Sequence, residues 1–125
     1  MPGRLYATGA GPALATAGTD VALGAGWGGT ATVAVTSGSN DQRGQIVVTA
    51  STTTPAAATA TVTLTFKRLW ASAPIAIVTE VDNDEDAAVN VTPTDVVTTT
   101  STLVFRRGTI PVATKVYTYN YICLG

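Results

Sequence analysis

Residues 59–78 read TATVTLTFKRLWASAPIAIV, and this stretch decides what kind of fold the chain can adopt. Its first half alternates threonine with Val62, Leu64 and Phe66. Successive side chains of an extended strand point to opposite faces, so the hydroxyls share one face and the hydrophobic side chains share the other. The alternation therefore predicts a half-buried β-strand.

The segment 67–74 separates this strand from a second β-branched run at 75–78. It is too long for a two-residue hairpin turn, and Pro74 fixes the backbone where the second run begins. We expect the connection to step from one sheet to another.

The composition favours an all-β protein in one domain. The 125 residues include 24 threonines, 12 glycines and 6 prolines, while charged residues make up only 12%. These are residues of strands and turns rather than of solvated helices. A chain of this length buries roughly two thirds of its unfolded surface on folding.

Several function classes are disfavoured by what the chain lacks. It has no histidine, which removes Ser-His-Asp and Cys-His sites and the commonest general base. The charged residues are scattered along the chain and sum to a net charge of −1, so nucleic acid is not an expected partner. No apolar run has the length of a membrane span or a signal peptide core, so we expect a soluble protein made in the cytoplasm with no membrane partner. The single cysteine, Cys123, is expected to be a buried apolar side chain.

Residues 1–20 are rich in glycine, alanine and proline without strand or helix periodicity, which is typical of an extended arm. Arg4, Leu5 and Tyr6 form the cluster in it that is large enough to anchor on a partner, for example as an added β-strand. The alternative is that the arm folds back on its own domain.

The segment 24–29 is a glycine cluster, but it lacks the spacing of a phosphate-binding loop. We interpret it as a turn into a strand, with Trp27 packed on a sheet edge. The turn signal at 37–41 predicts antiparallel strands on either side of it, with Ile46 and Val48 facing inward.

Residues 82–86 read DNDED, which clusters oxygen ligands as a calcium loop does. An EF-hand would need glycine where Ala87 stands and glutamate where Pro93 stands. We expect a solvated acidic turn, and an irregular cation site is the alternative. Acids clustered in one turn are also a poor match to the two carboxylates of a glycosidase, which face each other across a cleft.

The remaining strands are predicted at 88–91, more weakly within 94–101, and at 102–106 with Leu103 and Phe105 inward. The pair Arg106-Arg107 precedes a glycine and is interpreted as a solvated turn, with an anion-binding pair as the alternative.

The last predicted strand, 115–124, places Tyr117, Tyr119 and Tyr121 on one face. This row and Trp70 are the candidates for a recognition surface or a subunit interface, since aromatic rings supply apolar area and a polar group. The alternative for the row is that it faces the core and holds the final strand in place.

Four parts of the sequence carry a family resemblance: 38–49, the alternating run 61–66, the Ala-Pro entry within 71–79, and the ending YTYNYI at 117–122 before Gly125. Together they resemble a small β-sandwich module of tailed bacteriophage virions, found in head fibres, tail-fibre tips and capsid-decorating proteins. The resemblance covers residues 24–125 and leaves the arm outside. It transfers no catalytic residue, and it implies a trimer on the outer surface of a capsid or tail.

We therefore expect an antiparallel β-sandwich of jelly-roll type at residues 21–125, preceded by an extended arm at residues 1–20. The expected function is a non-enzymatic, homotrimeric capsid decoration protein of cement or head-fibre type, without a cofactor, whose arm binds the major capsid protein or another virion protein. The alternative is a tail-fibre or receptor-binding module that recognises a bacterial surface glycan.

Overall fold

The computed structural model describes residues 12–51, 60–83 and 91–125. These residues form eight β-strands and one 3-10 helical turn, Ala25–Trp27, and none of their helices is long and apolar enough to cross a membrane. In chain order the strands are β1 (Val21–Leu23), β2 (Thr32–Val35), β3 (Arg43–Thr49), β4 (Thr61–Thr65), β5 (Ile75–Asn83), β6 (Thr94–Thr98), β7 (Thr102–Arg106) and β8 (Val116–Leu124).

The strands divide equally between two antiparallel sheets, with the orders β1-β4-β7-β6 and β2-β3-β8-β5. The predicted all-β fold is confirmed. Its jelly-roll classification, which requires two Greek keys, stays a prediction.

Strand β4 has the faces that the alternation predicted. Val62 and Leu64 have no solvent exposure, and Phe66, just after the strand, is 6% exposed. Because β4 pairs with β1 and β7 while β5 pairs with β8, the connection between β4 and β5 passes from one sheet to the other, as predicted.

The core lies between the two sheets. Its buried members outside β4 include the side chains predicted to face inward, namely Ile46, Val48, Leu103, Phe105 and Cys123. The antiparallel pairing of β2 with β3 is confirmed, and the weaker prediction within 94–101 is the strand β6.

Trp27 lies in this core and not on a sheet edge, which corrects the sequence interpretation. The 3-10 turn directs the indole inward, where its ring centroid lies 5.5 Å from that of Tyr117. Its Nε1 donates a hydrogen bond to the Thr61 carbonyl oxygen at 3.0 Å. The tryptophan is therefore fully buried and its polar atom has a partner.

Residues 12–20 pack on the sandwich, so for this part of the predicted arm the alternative of folding back holds. Leu14 is 3% exposed, and its backbone N–H donates to the Ser39 carbonyl oxygen at 2.8 Å. The Val35 N–H donates to the Thr16 carbonyl oxygen at 3.0 Å. Arg4, Leu5 and Tyr6 lie outside the described residues.

The acidic segment begins as strand rather than as turn, because Asp82 and Asn83 belong to β5. Residues 84–86, and most of the strand predicted at 88–91, lie outside the described residues.

Candidate functional site

The outer face of the sheet β2-β3-β8-β5 is the candidate site. Cross-strand register places Ile75 opposite Leu124 and Ile77 opposite Ile122. Strand alternation turns these four side chains, which we call the aliphatic patch, away from the core, because Val78, Tyr121 and Cys123 point inward. Their exposures are 72% for Ile75, 58% for Leu124, 57% for Ile77 and 48% for Ile122.

Association with a partner would remove the apolar surface of the aliphatic patch from water. Fully burying one such side chain contributes about 1.5–3 kcal/mol. Contiguous apolar patches on a protein surface are typical of interaction sites. The patch is therefore large enough to stabilise an association by several times the thermal energy.

The other sheet shows the ordinary arrangement for comparison. On β4, the outward side chains are Thr61, Thr63 and Thr65, which are half-buried or exposed. Antiparallel sheets commonly pack one face on the core and expose the other to water. The sheet β1-β4-β7-β6 follows this rule along β4, whereas β5 and β8 are apolar on both faces at the patch.

A polar ladder crosses the same outer face beside the aliphatic patch. Thr36 Oγ1 donates to Gln45 Oε1 at 2.8 Å, and Gln45 Nε2 donates to Asn120 Oδ1 at 3.0 Å. These groups satisfy part of one another's hydrogen bonding, so they lose fewer bonds to water when a partner covers them.

Two exposed charges stand on this face. Arg43 is the cross-strand neighbour of Ile122, and Asp82 is the cross-strand neighbour of Thr118. Neither side chain takes part in the salt bridges found among the described residues. Both charges are available to a partner.

A shallow groove of about 480 Å³ adjoins the aliphatic patch at the β2–β3 turn. It is lined by Thr36, Ser37, Gly38, Ser39, Arg43, Gly44, Gln45, Asn120, Tyr121 and Ile122. Hydroxyl, amide and guanidinium groups in a groove can hydrogen-bond to a hydroxylated ligand.

An ion pair inside the sandwich supports this face from behind. Arg107 Nε lies 3.0 Å from Glu80 Oε1, and the Tyr119 hydroxyl donates to the same oxygen at 2.9 Å. The other carboxylate oxygen accepts from the Val91 N–H at 2.8 Å. Because Glu80 and Tyr119 belong to β5 and β8, the network fixes the two strands that carry the aliphatic patch.

The position of Arg107 corrects the prediction of a solvated Arg106-Arg107 turn. Its side chain is 1% exposed, and its guanidinium carbon lies 4.2 Å from the centroid of the Tyr117 ring. Arg106 is half-buried and forms a salt bridge with Asp95 at 2.6 Å. The pairing of β5 with β8 gives Glu80 the inward parity of Val78, so its carboxylate requires a cation or hydrogen-bond donors in the core.

The tyrosine row lies in the core, which is where the alternative interpretation places it. Tyr117, Tyr119 and Tyr121 are at most 1% exposed. Burial raises the pKa of Tyr119, and the neighbouring Glu80 carboxylate raises it further. Burial also raises the pKa of Tyr121. The hydroxyls have partners inside the protein, for instance the Val112 N–H, which donates to the Tyr117 oxygen at 2.6 Å.

Trp70 is half-buried at the end of the core, with its ring centroid 5.8 Å from that of Phe66. Its segment closes on its own domain, because the N–H groups of Lys67 and Arg68 donate to the two carboxylate oxygens of Asp41 at 2.8 and 3.0 Å. The sequence interpretation missed the aliphatic patch, whose four residues are not among the aromatic candidates.

The described residues contain no group of three or more histidine, cysteine, aspartate or glutamate side chains placed to hold a metal ion. The cation alternative for 82–86 depends on residues outside the described ranges. Compared with protein-family models, curated proteins and solved structures, the chain matches none of them. The likeness to bacteriophage sandwich modules stays a prediction from the sequence.

Proposed function

We propose that the protein is a non-enzymatic structural protein of a bacteriophage virion, a homotrimer that decorates the outer surface of the capsid. The observation that carries this proposal is the aliphatic patch on the outer face of the sheet β2-β3-β8-β5. A sheet whose outer face carries an exposed apolar patch is suited to an assembly in which a partner covers that face. The sequence resemblance supports the virion setting. The proposal includes the jelly-roll topology of the sandwich.

The proposed action is mechanical. The sandwich buries its inner faces, neighbouring copies cover the aliphatic patch, and residues 1–11 tie the trimer to the major capsid protein through Arg4, Leu5 and Tyr6. Contacts that form only in the assembled state stabilise it by mass action, and area buried across subunit boundaries adds to the stability of the capsid.

Co-sedimentation of the purified chain with capsids that lack it tests the proposal. We expect saturable binding that is lost when Arg4, Leu5 and Tyr6 are all replaced by alanine. Leu69→Thr is the matched control, because Leu69 is 78% exposed and lies outside both the arm and the outer face. Binding to host envelopes with no affinity for capsids would contradict the proposal.

The groove at the β2–β3 turn supports a second candidate, a tail-fibre or receptor-binding module for a bacterial surface glycan. Its hydroxyl and amide groups and Arg43 suit a hydroxylated ligand. A glycan array and a cell-adsorption assay separate the two functions. Glycan binding that Gln45→Ala abolishes would favour the second candidate, since Gln45 lines the groove.

A further inference from the structure

We infer that the outer face of the sheet β2-β3-β8-β5 is the contact between copies of this chain, closed in a ring of three, with Arg43 of each copy against Asp82 of the next. The inference rests on the proposed homotrimer and names the surface that forms it. Its evidence is the aliphatic patch, the polar ladder and the positions of these two charges.

The face has the composition of an interface core. Its apolar part consists of the cross-strand pairs Ile75 with Leu124 and Ile77 with Ile122. Its neighbouring polar part, where Gln45 links Thr36 to Asn120, is hydrogen-bonded within itself. Interface cores are depleted in charged residues and keep their polar groups paired. A partner that covers this face therefore leaves few polar groups without a hydrogen bond.

Arg43 and Asp82 lie at opposite corners of the face. Arg43 is on β3 in register with Ile122, whereas Asp82 is on the edge strand β5 in register with Thr118. The strand spacing separates the corners by about 10 Å across the sheet, and the strand rise separates them by about 14 Å along it. The two side chains are therefore too far apart to pair within one copy.

This placement of charge favours a second copy as the occupant. A uniformly acidic partner would leave Asp82 facing a like charge, and a uniformly basic partner would do the same to Arg43, which is costly where water is excluded. A copy of the same chain supplies both signs. A ring forms when one flank of each copy contacts the opposite flank of the next. Because Arg43 and Asp82 lie on opposite flanks, every contact in such a ring pairs an arginine of one copy with an aspartate of the next.

Charge reversal tests the inference. Arg43→Asp and Asp82→Arg are each expected to weaken self-association of the full chain by about tenfold or more, measured by analytical ultracentrifugation. The double variant carrying both reversals is expected to recover the wild-type mass. Both side chains are exposed, so the single variants should fold and keep the far-UV circular dichroism spectrum of the wild type. Single variants that associate normally, or a double variant that stays dissociated, would overturn the inference.

Two variants, each with one exposed aliphatic residue replaced, test the apolar part of the contact independently. Ile77→Thr keeps a β-branched side chain but removes apolar area from the patch, so it should weaken association by about tenfold. Leu69→Thr removes a comparable exposed side chain outside the face and should leave association unchanged. Equal effects from both variants would contradict the assignment of this face.

Mixing the two charge-reversed variants tests the ring. Contacts between unlike variants pair opposite charges, but a ring of three must include at least one contact between like variants. We therefore expect the equimolar mixture to remain weakened. A stable heterodimer would show a two-fold contact and overturn the ring.

Failure of this inference can be told apart from failure of the proposed function. A wild-type trimer whose association the substitutions do not affect would overturn this inference alone. Charge-dependent trimers that fail to bind capsids would overturn only the proposed function.

Discussion

Arg107 and Glu80 form an ion pair in the interior of the sandwich, with Nε 3.0 Å from Oε1 and side-chain exposures of 1% and 0%. Removing two charges from water is costly, and their attraction compensates only when other hydrogen bonds complete the geometry. Here the Tyr119 hydroxyl donates to the carboxylate, and Arg107 Nη1 donates to the Ile110 carbonyl oxygen at 3.2 Å. The pair thereby joins β5 to β8 and to the loop after β7.

Removing one member of this pair should destabilise the protein strongly. For Arg107→Met we expect the free energy of unfolding to fall by about 3–5 kcal/mol, because Glu80 would remain buried without its cation. Urea denaturation measures this loss. The control is Asp95→Asn, which breaks the exposed salt bridge to Arg106 and should cost about 1 kcal/mol or less. Asparagine tolerates the positive φ of 53° at position 95.

The double variant Glu80→Leu, Arg107→Met separates the cost of an unpaired charge from the value of the pair. It removes both charges, so it should be more stable than Arg107→Met alone. If the double variant lost as much stability as the two single changes added together, the two side chains would be energetically independent, and the network would not have the role described above.

Gly44 is predicted to reject any side chain. A Cβ atom there would lie 2.6 Å from both Ser39 Oγ and Tyr121 Oη. Gly44→Ala should therefore cost about 1–3 kcal/mol through overpacking. Gly29→Ala is the matched control, since a Cβ at Gly29 meets nothing within 4 Å, and it should be neutral or slightly stabilising. Equal melting temperatures for the two variants would contradict the packing at Gly44.

Asp20 should contribute to the acid dependence of stability. The Ala15 N–H, which donates to its carboxylate at 3.0 Å, and the neighbouring Lys67 ammonium lower its pKa below 3.8. A lowered pKa in the folded state gives stability that is present above the unfolded pKa and is lost as the pH falls through the folded pKa. Asp20→Asn should thus flatten the decline in urea midpoint between about pH 5 and about pH 2. An unchanged decline would contradict this contribution.

The sequence predicted best those strands that have one face in the core. In β4 hydrophobic residues alternate with threonine, and in β8 the tyrosines recur at every second position, so Leu64 and the tyrosine row could each be assigned to one face of a strand. Arg107 was misassigned because its partner, Glu80, is 27 residues away and belongs to the other sheet. A local turn signal carries no information about such a contact.

The aliphatic patch could not be predicted for a related reason. In the run 75–78 the positions are apolar at both parities, so the pattern does not show which side chains face the core. The pairing of β5 with β8 decides it, because Val78 then lies inside opposite Tyr121, and Ile77 lies outside opposite Ile122. Register between strands separated by some 40 residues is a property of the whole sandwich.

Cys123 should be protected from thiol reagents while the protein is folded. Its side chain is buried beside the Tyr121 ring, and burial raises the pKa of the thiol to about 11. Because the thiolate is the reactive form, we expect alkylation in native buffer to be at least about tenfold slower than in denaturant. A thiol whose folded pKa is raised above 9.0 contributes stability below the unfolded pKa and loses it as the pH rises towards 11. The Cys123→Val variant lacks this component, so its stability should fall less than that of the wild type between about pH 8 and about pH 10.5. Labelling of the native protein as fast as that of the unfolded chain would contradict the burial of Cys123 on β8.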